Sequence, residues 1–418
     1  MLKFLIGGSP CTHWSIAQQS GRETTASGEG WELFFNFVIA KERFKPDFFL
    51  YENNKSAAKE IKAQISKELG APLQYINSAL VSAQNRERFY CHNFGDVPQP
   101  DDRGIILQNI LQSEAGTQIY PFGNTKGKSY CLTSNYSNTP YPEHTLKKSA
   151  RTMAAAKVEP IADREKGECL RATYYKSGMR NFEKKITDGM GYWGVPVRVG
   201  TIENKAKNQE KHDSKPYRVY SPEGKSTTLC SGRGSAGTST GLYAVPSLPT
   251  IEGKPVYRVE AGQIEIKGKQ YQIKLPDGFY IIRKLTVTEC CRLQTLPDDY
   301  CRDASQTQAY KGLGNGWTAE VIIHLLAHAL KGVPHDTPLL VLSMYDGIGT
   351  GRYCFDRLGY NNITYYSYEI DEHAKRIAMS NYQDIKQCGD AFAVRESEWF
   401  LRSASKKGHS GSLRKKSK

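Results

Sequence analysis

The sequence predicts an α/β protein: a sheet of mostly parallel strands, with a smaller, loop-rich β region inserted into it. Three observations carry this. Apolar strands alternate with amphipathic helices up to about residue 95. The same alternation returns after residue 283. Between the two, over 116–282, short aromatic runs are broken by Gly, Ser, Asn and Lys clusters such as "SNYSNTPYPEH" and "CSGRGSAGTSTGLY".

The elements follow in order. "KFLIG" reads as a short buried strand, and "GWELFFNFVIAKERF" as an amphipathic helix with apolar residues at 3–4 spacing. "PDFFLYENN" is a second apolar strand, "AAKEIKAQISKELG" a helix with a Gly stop, and "LQYINSALV" and "RERFYCHNF" are further strands. After the break, "TAEVIIHLLAHALKG" is a strong helix and "PLLVLSMYDGIGTG" an apolar strand entering a Gly-rich turn. "RYCFDRLG" is a helix, "ITYYSYE" a strand, and "DEHAKRIAMSNY" a helix opened by acids that suit its N-terminal dipole. There is no internal repeat.

Composition narrows the class. At 418 residues the chain can bury a sizeable core and carry two domains. No apolar run approaches the roughly 20 residues of a membrane span, and the first residues read as a buried strand rather than a signal peptide. Ten cysteines without a C-x-x-C pair resemble neither a disulfide framework nor a zinc site, so reduced thiols and a cytoplasmic protein are expected. The net charge of +14 calls for a polyanionic partner. Residues 116–282 carry 26 Lys/Arg against 15 Asp/Glu, and the tail 401–418 has no acid at all and reads as disordered.

Two stretches carry chemistry. In "VLSMYDGIGTG" a strand meets Gly347, Gly349 and Gly351 before a helix, which brings backbone close to a nucleotide. Glu369 ends the next strand, where an acid accepts from ribose hydroxyls, and Asp390 follows at a similar interval. Together they indicate an adenosine-type cofactor, and the spacing G-x-G-x-G departs from the dinucleotide fingerprint. The second stretch is "GGSPC". Cys11 follows Pro at a strand end and precedes a polar loop, with "YENN" at the end of another strand. A carboxyl does not improve a neighbouring thiol as nucleophile; the pair makes sense if Glu52, kept protonated, activates a cytosine ring at N3 while Cys11 attacks carbon 6. "QNRER" places Arg86 and Arg88 on one face of a strand, to hold the ring carbonyl and the acid.

These residues resemble the cytosine-5 DNA methyltransferases. "GGSPC", Glu52-Asn53 and "QNRER" match the nucleophile, acid and Q-x-R-x-R motifs, and "RKLTVTECCRLQTLPDDY" matches a long R-x-L-T-x-x-E-x-x-R-L-Q-x-x-P segment. "GLGNGWTAEVIIHLL" resembles the helix over the methionine end of S-adenosylmethionine. The likeness is closest to phage and bacterial members and the animal de novo branch. It implies catalysis by Cys11, Glu52, Arg86 and Arg88. It also implies an S-adenosylmethionine site at Tyr345, Asp346, Gly347, Gly349, Glu369, Ile370, Asp390, Ala391, Asn315, Trp317 and Leu33. DNA contacts would come from Ser15, Ile16, Gln18, Thr228 and Arg233, with Trp14, Ile16 or Gln18 filling the stack left by a flipped base.

The motif order differs from the family's. Cofactor motifs normally come first; here they follow the Pro-Cys strand, which implies a circular permutation of the Rossmann-like sheet. The implied domains are 1–115 (catalytic, first part), 116–300 (target recognition), 301–400 (catalytic, second part) and 401–418 (tail). Smaller departures are Thr12 for Gln or Asn, Asn54 for Val and Tyr345 for Phe. The expected partner is double-stranded DNA, with no membrane, a monomeric state and a cognate restriction endonuclease not in contact. Two alternatives are a tRNA cytosine-5 methyltransferase, disfavoured by the large basic region, and a catalytically inactive DNA-binding relative, disfavoured by intact Cys11, Glu52 and Arg88.

Overall fold

The computed structural model describes residues 1–15, 21–112, 117–123, 127–138, 142–148, 151–158, 200–201, 218–220, 242–243, 250–251, 254–266, 268–397 and 399. The chain divides into two compact units: one of residues 1–112, 124–152 and 284–418, the other of 113–123 and 153–283. These limits differ from the segment 116–300 that the resemblance implies. Residues 124–152 and 284–300 cluster with the first unit, because the polar stretch at 127–138 and the helix after 286 pack among its elements.

The first unit holds a seven-stranded sheet. Its strands are β1 (Leu2–Gly7), β2 (Phe48–Asn54), β3 (Leu73–Asn77), β4 (Glu87–His92), β5 (Leu339–Met344), β6 (Ile363–Tyr368) and β7 (Lys386–Gln387), in the spatial order β7-β6-β5-β1-β2-β4-β3. From β7 to β2 neighbours run parallel; β4 is antiparallel to β2 and to β3. All six residues of β5 are buried, as expected of a central parallel strand covered on both faces. β1 pairs with β5 on one side and β2 on the other, Phe4 facing Val341 and Phe48.

The helices are α1 (Glu29–Phe44), α2 (Lys59–Leu69), α3 (Pro142–Lys148), α4 (Val287–Leu293), α5 (Gln306–Asn315), α6 (Ala319–Ala329), α7 (Thr350–Arg357) and α8 (Glu372–Asn381). On α1, Phe34, Phe37, Val38, Phe44 and Ala40 are buried, one face at helical spacing. They pack with Leu5, Tyr51 and Phe89 into one core cluster; each fully buried Phe contributes about 2–3 kcal/mol. α2 buries Ile61, Ile65 and Leu69 and stops at Gly70. Thr286 and Glu289 form a capping box on α4, and the Asp371 carboxylate caps α8.

From β5 the chain passes through α7 to β6 and through α8 to β7; from β1 it passes through α1 to β2 on the other side. The sheet therefore winds outward in both directions from the β5/β1 pair, and the crevice at the carboxyl ends of these strands is where α/β sheets bind ligands.

The second unit is antiparallel in the main: strands 269–272, 263–266, 254–260, 278–284, 153–158 and 119–122 form one sheet in that order, and 250–251 pairs with 254–260. Among the described residues, no helix is long and apolar enough to cross a membrane.

Candidate active site

The turn after β1 carries the candidate nucleophile. Pro10 precedes a single helical turn, Cys11–His13, and the Cys11 carbonyl accepts from the amides of Trp14 (3.2 Å) and Ser15 (3.0 Å). The thiol is half-buried. This turn lies directly on the end of β2. A Cβ on Gly8 would stand 2.6 Å from the Glu52 carbonyl oxygen, so only glycine allows the approach. Beneath it, Ser9 Oγ and Tyr51 OH are 2.7 Å apart, and the Asn53 amide donates to the Ser9 carbonyl at 3.0 Å and to Tyr51 OH at 3.1 Å. Burial raises the Tyr51 hydroxyl pKa, so it stays neutral in this network.

Glu52 is buried and held at both oxygens. Arg88 Nε stands 3.0 Å from Oε1, and Trp317 Nε1 donates to Oε2 at 3.0 Å. Burial works against the Arg88 charge, but the Cys131 thiol, Glu52 and Cys11 outweigh it and raise its pKa. Arg88 is thus a permanent cation that couples electrostatically to Cys11 and is bonded to Glu52. Arg86 does something else. It is 3% exposed, and its guanidinium donates to the carbonyls of Leu132 (3.0 Å), Gly314 (3.3 Å) and Gly316 (2.8 Å). Of the two arginines expected to hold the ring carbonyl and the acid, only Arg88 reaches the acid; Arg86 fixes the chain segments that surround it.

The glycine turn sits beside this group, after β5. Tyr345 (φ 59°), Gly347 (φ 63°) and Gly349 (φ 79°) adopt left-handed backbone, and a Cβ on Gly347 would meet nothing within 4 Å. Glu369 closes the turn from β6: Oε2 accepts from the Gly347 amide at 2.9 Å, Oε1 from Ile370 (2.9 Å) and Asp371 (2.8 Å). Asp346 is buried. Its Oδ1 accepts from Ser343 (2.6 Å) and Tyr365 (2.7 Å). Burial raises its pKa, against the pull of those hydrogen bonds. The hydroxyl of buried Ser367 on β6 also acts on this carboxylate, while the open space over the Gly347 backbone, with Glu369 beside it, fits a ligand that packs on the turn. Asp390 caps the turn at Ala391–Arg395 through Phe392 N (2.9 Å), and Ile370 and Phe392 are exposed apolar side chains, 69% and 41%. Tyr345 OH donates to the Leu33 carbonyl of α1 at 2.7 Å. Trp317 joins the two halves, bonding Glu52 on one side and lying 3.6 Å from the position of a Gly351 Cβ on the other. Asn315 ends α5, exposed.

Residues 1–331 match the family of C-5 cytosine-specific DNA methylases. The chain belongs to that family. It is a DNA cytosine methyltransferase. The methylase is 22% identical to the orphan methyltransferase M.SPRI of Bacillus phage SPR, over 76% of this chain and 80% of that protein. It is 24% identical to the Type II methyltransferase M.HgiBI of Herpetosiphon aurantiacus, over 77% and 80%. A DNMT2 structure from Spodoptera frugiperda superposes loosely, with TM-score 0.34 at 13% identity over 78% of this chain and 79% of that one.

Within the methylase the fold brings the Cys11 turn, Glu52 and Arg88 together, with Trp317 linking Glu52 to the glycine turn, Glu369 and Asp390. Trp14 is corrected: it is fully buried and donates to Glu23 Oε2 at 3.0 Å, so it has no freedom to fill a DNA stack. Ser15 is described, half-buried at the end of the turn; Ile16, Gln18, Thr228, Arg233 and the tail 401–418 lie outside the described residues. Sequence reading missed Cys131. Its sulfur lies 3.3 Å from Arg86 and 3.7 Å from Arg88. Burial opposes ionisation of this thiol, but the two guanidiniums prevail and lower its pKa. The available signal was weak, one cysteine in an irregular polar stretch. Gln84, the first residue of "QNRER", carried no assigned role in the sequence. Its amide accepts from Leu132 N (2.8 Å) and donates to the Leu293 carbonyl (3.2 Å), which locks that stretch beside Arg86.

Proposed function

We propose that this methylase transfers a methyl group from S-adenosylmethionine to carbon 5 of cytosine in a specific double-stranded DNA sequence, through a covalent Cys11 adduct on a flipped base. The observation that carries the reading is the meeting of Cys11, Glu52 and Arg88 at the carboxyl ends of β1 and β2, beside the glycine turn of β5.

Each residue then has a task. The Cys11 sulfur adds to carbon 6 while Glu52 stabilises N3, which moves electron density to carbon 5. Arg88 keeps Glu52 in place and presents fixed positive charge to the thiolate and the ring. Arg86 is a positioning residue. S-adenosylmethionine, when bound, supplies an electrophilic methyl group. Its holders would be Glu369 for the ribose hydroxyls, Asp390 for the adenine amino group and the 345–349 turn with Asp346 for the amino-acid end. Ile370, Ala391, Asn315, Trp317 and Leu33 would line the same site. Loss of the carbon-5 proton and β-elimination restore the free thiol.

The recognition task is assigned to the part of 116–300 that falls in the second unit, whose basic excess suits phosphates and whose polar loops suit base edges. Two observations support a circular permutation. The family match ends at residue 331, before the glycine turn, and β5 nevertheless lies in the middle of the sheet against β1. The orphan and Type II methyltransferases among the relatives support a DNA-modification enzyme.

The test is transfer of labelled methyl from S-adenosylmethionine to duplex DNA. Wild type transfers and Cys11→Ser does not. No transfer by wild type, or equal transfer by Cys11→Ser, overturns the proposal.

A further inference from the structure

Two consecutive asparagines end β2, and they grip the nucleophile turn on opposite sides of Pro10. Asn53 donates to the Ser9 carbonyl at 3.0 Å. Asn54 donates to the Cys11 carbonyl at 3.4 Å. Both side chains are buried, at 1% and 6% exposure. The second contact is long, yet its direction is fixed from elsewhere. Ser56 Oγ donates to Asn54 Oδ1 at 2.6 Å, which turns the amide nitrogen toward Cys11, and the Asn54 backbone amide donates to Asn53 Oδ1 at 2.8 Å. The Ser56 carbonyl in turn accepts from Arg22, whose Nε donates to the Trp14 carbonyl at 3.2 Å. The helical turn that begins at Cys11 is therefore held at its first residue by Asn54 and at its exit by Arg22, and both ties lead to Ser56.

Glu52 and Asn54 are two apart on one strand, so their side chains leave on the same face. A bond from Asn54 to the Cys11 backbone thus sets the nucleophile in register with the acid. We infer that Asn54, oriented by Ser56, is a positioning residue that fixes Cys11 relative to Glu52 for attack on the base. The inference rests on the catalytic reading above. It concerns the attack step, and neither DNA affinity nor cofactor affinity depends on it.

The experiment follows the rate of covalent capture on random-sequence duplex DNA in which 5-fluorocytosine replaces cytosine, in single turnover with S-adenosylmethionine present. The full-length wild type is compared with Asn54→Val, Asn54→Ala, Ser56→Ala and Asn54→Val/Ser56→Ala. Ala removes the donor while adding neither a buried charge nor a branched side chain, so it serves even if Val disturbs folding. Capture is expected to slow about tenfold in both Asn54 variants, as a small misplacement of reacting groups costs, with duplex Kd and melting temperature unchanged. Ser56→Ala is expected to slow capture about threefold alone and not at all once Asn54→Val is present, because the serine acts through the amide. Wild-type capture rates in both Asn54 variants overturn the inference. So does a loss that matches a fall in DNA binding or melting temperature, or a serine effect that simply adds. Absence of any adduct with wild type falls instead on the catalytic reading and takes this one with it.

Discussion

The two arginines of "QNRER" differ in what each is bonded to. Arg86 satisfies three backbone carbonyls from two chain segments while almost wholly buried. Its removal leaves those acceptors dry, so Arg86→Leu is expected to cost about 3 kcal/mol of stability in urea unfolding. Arg88 holds Glu52, and Arg88→Leu is expected to lower turnover about 100-fold even in protein that remains folded. The reverse pattern would contradict the assignment. Sequence alone could not separate them. Alternation along a strand predicts a shared face, and both do reach Cys131, but which guanidinium meets the acid depends on carbonyls contributed from 132 and 314–316, far off in sequence. Cys11, Glu52 and Asn53 were legible because each sits at the end of a strand whose apolar run is plain. Trp14 misled for a related reason: a Trp in a polar loop reads as exposed, and only its packing shows it buried.

At the scale of elements, the antiparallel pair β2/β4 shapes the acid side of the site, and His92 ends β4 opposite Leu50. Its Nε2 lies 2.9 Å from Gln74 Oε1 and its Nδ1 accepts from the Phe94 amide at 3.3 Å, which suits a neutral ring. Burial lowers its pKa from the ordinary 6.5 to about 4. Between those values the unfolded chain takes up a proton that the folded one refuses, so stability falls as pH drops from about 6.5 to about 4. The urea midpoint is expected to decline over that window in wild type and to decline less in His92→Gln. Equal slopes would remove His92 from the account. Strands and helices of the first unit were legible throughout, since parallel strands buried on both faces read as continuous apolar runs and α1 and α2 show clear 3–4 spacing. The unit boundaries were not. The stretch 127–138 has the composition of a surface loop, yet it lies beside the arginines through the bonds of Gln84 and Arg86.

For the whole molecule, the decisive feature is that strands from the two ends of the described chain meet at the centre of one sheet, β5 between β1 and β6. The link from α6 to β5 is short, with Lys331, Gly332 and residues 334–336 exposed. Cleavage there is expected to leave two fragments that elute together and melt within a few degrees of the intact chain, because the sheet pairing on both sides of the cut persists. Dissociation of the fragments would contradict that view. The same convergence places a glycine turn, an acid and a thiol at the carboxyl ends of the central strands, where we propose that carbon 5 of cytosine is methylated through Cys11. The direct measurement is nucleoside analysis of duplex DNA after incubation with labelled S-adenosylmethionine and either wild type or Cys11→Ser. Label is expected in 5-methylcytosine for wild type and nowhere for Cys11→Ser; label on the exocyclic amino group, or equal 5-methylcytosine from both proteins, would overturn the proposal.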